Sequence, residues 1–68
     1  MPNYYVNKKA QTTGEHEVHK EGCPTPPDSA NRLNLGFFTH CRDAVNEGRK
    51  YYTNIDGCKN CSPECHTR

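Results

Sequence analysis

The sequence predicts an α+β fold, in which a small three-stranded antiparallel sheet packs against one helix and ends in a cysteine-rich tail. Two segments near the N-terminus and one in the middle alternate β-forming residues with polar ones. The next segment spaces its apolar residues as a helix does. At 68 residues the chain has room for one domain only, so residues 1–68 are expected to form a single small domain.

A β-hairpin is predicted over residues 4–20. Tyrosine and valine alternate with polar residues from 4 to 9, which is typical of a strand. Residues 10–14 are polar and end in glycine, as expected for a connection of this length. Residues 15–20 then predict the antiparallel partner strand.

A loop, a third strand and a helix follow. Proline, glycine and asparagine are dense over 21–32 and predict a Pro-rich loop, whereas 33–38 shows the period of a strand. Gly36 indicates either a bulge or a close approach of backbone. A helix is predicted over 40–52 with Thr39 as its N-cap. Its apolar stripe consists of Cys41, Ala44, Val45, Gly48 and Tyr52.

The composition predicts that this fold needs a covalent or metal cross-link. Hydrophobic residues make up 31% of the chain, tryptophan is absent and the mean hydropathy is −1.14. Domains of this size rarely obtain more than about 3–5 kcal/mol from packing alone. The five cysteines are therefore the expected source of additional stability.

Three cysteines in the tail, residues 53–68, predict a structural zinc site. Cys58 and Cys61 have the spacing at which a tight turn directs two thiolates toward one tetrahedral ion. Cys65 lies one further turn along the chain. Because this segment has few apolar residues, metal binding is the preferred interpretation of the three thiols.

The fourth ligand is left open by the sequence. Cys23 follows the second strand and is the first choice, since the fold can bring it to the tail. His66 is the second choice, although it neighbours Cys65 and adjacent side chains point in different directions. Cys41 is the third, because it also falls on the apolar stripe of the helix, where a small buried side chain is expected.

Two other interpretations of the cysteines remain. One is a disulfide-stabilised domain, with Cys23 bonded to Cys41 and a second bridge within the tail. The other is a metal-handling or thiol-redox protein that uses Cys58 and Cys61, although this pair lacks the strand-to-helix context of thioredoxin-like motifs.

The histidines of the second predicted strand do not have the spacing of a chelating pair. His16 and His19 are three residues apart, so they face opposite sides of a strand. His19 is expected either to face solvent or to border the cysteine site. No catalytic constellation is predicted from any other part of the chain.

Charge and hydropathy limit the partners and the compartment. The net charge is +1 and the basic residues are scattered, which does not favour nucleic-acid binding. Neither a secretory signal nor an apolar run long enough to span a bilayer is visible, so a cytoplasmic location is expected. These features favour a non-enzymatic interaction or accessory module with a protein partner.

Several short stretches along nearly the full length of the chain form a recognisable set. They are Tyr-Tyr-Val-Asn-Lys at 4–8, His-Glu-Val-His at 16–19, Gly-Cys at 22–23, Leu-Gly at 35–36, Cys-x-Asp-Ala-Val at 41–45 and Cys-x2-Cys-x-Pro-Glu-Cys-His at 58–66. Together they resemble a family of small uncharacterised bacterial proteins. The resemblance implies a bacterial, cytoplasmic setting and no particular activity. Ser62 departs from the family pattern, in which a further cysteine stands at this position, and this speaks against a fixed disulfide framework that uses it.

Overall fold

The computed structural model describes residues 1–67 and shows one four-stranded mixed sheet covered by one helix. The sheet has the order β3-β1-β2-β4. Strand β1 pairs antiparallel with both β2 and β3, and β2 pairs parallel with β4. The elements are β1 Asn3–Asn7, β2 His16–Lys20, β3 Arg32–Phe37, α1 Cys41–Gly48 and β4 Ile55–Gly57, with short 3-10 turns at Ser29–Asn31 and Pro63–Cys65.

The α+β class is confirmed, but the prediction of a three-stranded antiparallel sheet is wrong. The missing strand is β4, which lies parallel to β2 with His16 opposite Ile55 and Val18 opposite Gly57. A strand of three residues is too short to show an alternating pattern, and the Asp-Gly pair at its end is more typical of turns than of strands. The connection through α1 provides the crossover that a parallel pair requires.

The hairpin and the third strand form as the residue alternation indicates. In the register of β1 and β2, Tyr4 lies opposite Lys20 and Val6 opposite Val18. Gly36 has φ +112° and lies opposite Tyr4, where the β1–β3 register shifts. This conformation favours glycine, and it confirms the predicted bulge.

The helix is shorter than predicted and begins one residue later. His40 occupies the N-cap position expected for Thr39, and its Nδ1 accepts a hydrogen bond of 3.0 Å from the backbone N–H of Arg42. The helix ends at Gly48, and two of the next backbone N–H groups, those of Tyr51 and Tyr52, donate back to its carbonyl oxygen. Tyr52 was predicted to continue the apolar stripe of the helix, but its ring stacks on that of His16, with 3.7 Å between the ring centroids.

The hydrophobic core lies between α1 and one face of the sheet. Its buried members are Tyr4, Val6, Val18, Leu35, Cys41, Ala44, Val45 and Ile55. The alternation of strand residues places Tyr5 and His19 on the opposite face. Within residues 1–67 no helix has the length and apolar character to cross a bilayer. The last residue of the predicted tail, position 68, lies outside the described part of the chain.

Candidate metal centre

Three cysteines and one histidine converge where β2 and β4 end. One nitrogen or sulfur atom from each side chain lies within 4.8 Å of the corresponding atoms of the others. The four residues are His19, Cys23, Cys58 and Cys61. All are donors that bind zinc and similar borderline or soft ions.

The turn after β2 brings Cys23 back toward His19. Gly22 has φ +82°, which favours glycine, and the backbone N–H of Cys23 donates to the carbonyl oxygen of Lys20. His19 points away from the core and stacks on Tyr5, with 5.8 Å between the ring centroids. As a result, His19 Nδ1 lies 3.5 Å from Cys23 Sγ.

The segment after β4 supplies the other two thiols. The backbone N–H of Cys58 donates to the carbonyl oxygen of Val18 at 2.9 Å, which fixes this segment beside β2. The backbone N–H of Ser62 donates to the carbonyl oxygen of Cys58 at 2.7 Å and closes the turn. Cys61 Sγ then accepts a hydrogen bond of 3.3 Å from the backbone N–H of Lys20.

The distances within the cluster fit a tetrahedral metal ion. Zn–S bonds of about 2.3 Å at tetrahedral angles place two sulfurs about 3.8 Å apart, and a Zn–N bond of about 2.0–2.1 Å places the nitrogen about 3.5–3.6 Å from each sulfur. Cys23 Sγ and Cys58 Sγ are 3.8 Å apart. His19 Nδ1 is 3.5 Å from Cys23 Sγ and 3.8 Å from Cys61 Sγ. The sulfurs are thus far from the separation of about 2.0 Å that a disulfide requires.

Burial sets the protonation of the histidine. The side chain of His19 is only 3% exposed, and burial, with a smaller contribution from the charge of Arg32, lowers its pKa to about 4. His19 is therefore neutral at pH 7, and a neutral imidazole is the form that binds metals.

The thiols are also perturbed by their neighbours. Burial would raise the pKa of Cys23, but hydrogen bonds from Cys61, Thr25 and Cys58 outweigh it and lower the pKa below the ordinary value. Burial and the hydrogen bond with Cys23 raise the pKa of Cys61. The thiols of Cys23 and Cys61 therefore influence each other's protonation, and a cation placed beside them would favour their thiolate forms.

A carboxylate lies on the far side of the imidazole. Glu17 Oε1 is 3.7 Å from His19 Nε2, the ring nitrogen that faces away from the sulfurs. Metal-binding histidines commonly direct their second nitrogen to a carboxylate, which fixes the tautomer. At 3.7 Å the carboxylate is near Nε2 but beyond hydrogen-bond distance, so it would have to move closer to fix the tautomer that leaves Nδ1 free to bind an ion.

The structure brings together three of the four residues predicted as ligands, namely Cys23, Cys58 and Cys61. The fourth, Cys65, is placed elsewhere, because it forms a disulfide with Cys41. The local spacing suggested otherwise, but the 3-10 turn over 63–65 directs the Cys65 side chain toward the core instead of toward Cys61.

The alternative candidates are also placed outside the cluster. Cys41 is part of that disulfide, and its sulfur is therefore already bonded. His66 Nδ1 is 3.0 Å from the carbonyl oxygen of Gly57 and 3.0 Å from Asp56 Oδ2. The observed disulfide also differs from the pairing considered above, because Cys23 is a free thiol.

His19 is the ligand candidate that the sequence interpretation missed, although a position bordering the cysteine site was one of the two predicted for it. The available signal was the spacing His19-x3-Cys23 across a predicted strand end and a glycine turn. Combined with Cys58-x2-Cys61, this spacing completes two pairs of donors, as in many four-ligand zinc sites.

Comparison of the chain with protein-family models, with curated protein sequences and with solved structures found no match. The geometry of the described residues is therefore the basis for a functional proposal.

Proposed function

We propose that this chain is a non-enzymatic interaction or accessory module whose fold is stabilised by one structural zinc ion bound to His19, Cys23, Cys58 and Cys61. The observation that supports this proposal is the set of distances among the four donor atoms, all of which lie within 4.8 Å of one another. Three of these distances are 3.5, 3.8 and 3.8 Å. These are the separations expected around a tetrahedral zinc ion.

A structural role is favoured over a catalytic one. Catalytic zinc sites keep one coordination position for water or substrate, whereas four protein donors fill the tetrahedron. Cys23, Cys58 and His19 are buried, which further restricts access to the ion. Cys61, which is partly exposed, is held by the N–H of Lys20.

The position of the site explains why the ion would stabilise the fold. Cys23 and Cys58 are 35 positions apart in the chain, so one ion would join the turn after β2 to the segment after β4. The short strand β4 pairs only with β2, and the proposed ion lies at the end of this pair. A structural zinc ion at this position would add stability that a thin core does not supply by itself.

Recognition would then belong to the surface. Phe37 and Tyr51 are 62% and 53% exposed and are large aromatic side chains that this polar chain presents to solvent. Exposed aromatic residues are enriched in contacts between proteins. A protein partner in a bacterial cytoplasm, the setting that the sequence resemblance implies, is part of the same proposal.

The test is metal analysis of the natively purified chain combined with thiol alkylation. We expect one zinc ion per chain, together with slow alkylation of Cys23, Cys58 and Cys61 that becomes fast after chelation. Cys58→Ser should lose the zinc. His66→Gln is the matched control and should retain it, because His66 was a predicted ligand that the structure places outside the cluster.

Absence of zinc together with rapid alkylation of all three thiols in the folded chain would contradict the proposal. That result would favour the alternative of a disulfide-stabilised domain with reactive thiols, since the Cys41–Cys65 bond would then be the remaining cross-link.

A further inference from the structure

A second group of potential metal ligands surrounds the disulfide. His40, Cys41 and Cys65 each place one donor atom within 4.8 Å of the other two, and His40 Nδ1 is 3.8 Å from Cys41 Sγ. None of these residues belongs to the candidate zinc site described above. While the disulfide is intact, its two sulfurs are bonded to each other and are not available as thiolate ligands.

We propose that reduction of the Cys41–Cys65 disulfide creates a second metal site, in which two thiolates and the imidazole of His40 bind a zinc ion and leave one coordination position open. The site would thus be present only in the reduced protein. It is independent of the structural ion and adds a redox-dependent function to the chain.

The chemical step is a two-electron thiol–disulfide exchange. A dithiol reductant breaks the bond between Cys41 and Cys65, gives both sulfurs a hydrogen and becomes a cyclic disulfide. Zinc binding then displaces the proton of each thiol to solvent, so two thiolates balance the charge of the divalent ion.

The backbone around the two cysteines would hold the sulfurs near each other after reduction. Cys41 is 4% exposed in the core at the start of α1. Cys65 packs so closely on β4 that a Cβ added at Gly57 would lie 2.6 Å from the Cys65 Cβ. The Cα atoms of the two cysteines are 6.3 Å apart, and only a change of side-chain rotamers is needed to separate the sulfurs.

The open coordination position would be accessible. Cys65 lines a surface cleft of about 270 Å³, and Cys41 lines another of about 230 Å³. His40 and Glu64 line both clefts, so the disulfide lies between them. Three protein donors beside an open cleft are typical of zinc sites that bind water or a small ligand.

Metal binding by His40 would replace one existing interaction. Its Nδ1 accepts the N-cap hydrogen bond from Arg42 in the oxidised chain. Asparagine caps helices well through its side-chain oxygen but is a poor zinc ligand. His40→Asn therefore separates the two roles, because it preserves the cap and removes the proposed ligand.

The experiment compares zinc content of the full chain before and after reduction. The protein is treated with dithiothreitol, desalted without oxygen, equilibrated with Zn²⁺ and analysed for bound metal. We expect the content to rise by one ion per chain upon reduction. Titration with Co²⁺ should show a second set of thiolate-to-cobalt absorption bands in the reduced chain only.

Two variants control for nonspecific binding by thiols. In reduced His40→Asn, the second ion should bind at least tenfold more weakly than in the reduced wild type, with the first site unchanged. The double variant Cys41→Ser, Cys65→Ser should show no gain of zinc under any redox condition.

Equal zinc content in the oxidised and reduced chains would overturn the proposal, and so would an unchanged second affinity in His40→Asn. Loss of zinc upon reduction would also overturn it, because it would show that the disulfide is required for the fold. The readout is the difference in zinc content between two redox states, so it remains valid if the site proposed at His19, Cys23, Cys58 and Cys61 binds no zinc. In that case the zinc content is expected to rise upon reduction from no ion to one ion per chain.

Discussion

Replacement of His19 tests whether the cluster is a metal site or simply a packed group of thiols. His19→Ala removes the nitrogen donor and the stacking on Tyr5. His19→Cys removes the same stacking but restores a soft donor, which would convert three cysteines and a histidine into four cysteines. Both ligand sets are common in structural zinc sites. The two variants therefore differ mainly in their ability to bind the ion.

The expected effect of His19→Ala follows from the ligand geometry. Removal of a partner outside the ligand shell typically costs 10–100-fold in metal affinity. His19 Nδ1, at 3.5 and 3.8 Å from two of the sulfurs, is a direct donor, so at least about 100-fold is expected. With zinc in excess, this loss lowers the free energy of unfolding by at least about 2.7 kcal/mol. For a chain of 68 residues that corresponds to a decrease of about 10–20 °C in Tm.

The assay is thermal unfolding followed by circular dichroism in a zinc buffer of fixed free concentration. His19→Ala should melt well below the wild type, and His19→Cys should melt near it. Addition of excess chelator should bring His19→Ala and His19→Cys to similar melting temperatures, because both lack the stacking on Tyr5. The metal hypothesis is refuted if His19→Ala melts as the wild type does. It is also refuted if the difference between the two variants persists in chelator, because that difference would then not depend on metal.

Three further predictions concern the surroundings of the site. Glu17→Gln should weaken zinc binding about 10–100-fold in a competition titration, since Glu17 lies 3.7 Å from His19 Nε2. Glu47→Gln is the control and should leave zinc binding unchanged, because Glu47 lies on the helix and pairs with Lys50. In chelator, the free energy of unfolding should fall by about 1–3 kcal/mol between pH 6.5 and pH 4 in a series of urea titrations. Burial holds the pKa of His19 in the folded chain at about 4, below its ordinary 6.5, so the unfolded chain takes up the proton first as the pH falls. His19→Gln should lack this pH dependence. Gly57→Ala should lower the free energy of unfolding, measured in urea, by about 1–3 kcal/mol, because the added Cβ would lie 2.6 Å from the Cβ of Cys65. An unchanged urea midpoint would show that the segment around Cys65 can move away from β4.

Local patterns in the sequence were sufficient for much of the fold. The alternation of residues predicted β1, β2 and β3, and helical spacing predicted α1, because each of these segments buries one face on the core. The predicted helix extended to residue 52, but the structure ends it at Gly48, after which Tyr52 stacks on His16 instead of continuing the helical stripe. A stacking partner from another element is not visible in the spacing of the helix itself.

The features that could not be predicted depend on contacts between distant parts of the chain. Strand β4 exists because three residues pair with β2, and its own sequence shows no strand pattern. The partner of Cys65 depends in the same way on the docking of α1, since Cys41 precedes it by 24 positions. Cys23, Cys58 and Cys61 could be proposed from spacing and turn residues, whereas the role of His19 required knowledge of which face of β2 meets the tail.

The tail after β4 places its sulfurs on both faces of the sheet, and this arrangement explains why consecutive cysteines have different environments. Cys61 is held by the N–H of Lys20 beside His19, on the face opposite the helix. The backbone N–H of Cys65 donates to the carbonyl oxygen of Ser62 in the following 3-10 turn, which carries the Cys65 side chain to the helix side, where it bonds to Cys41. Because Gly57 has no side chain, Cys65 can pack directly against the backbone of β4.

The short strand β4 is thus fixed near one end by the donors of the proposed zinc site and on its helix side by the disulfide. Strand pairing over three residues is marginal by itself, so we expect removal of either attachment to weaken it.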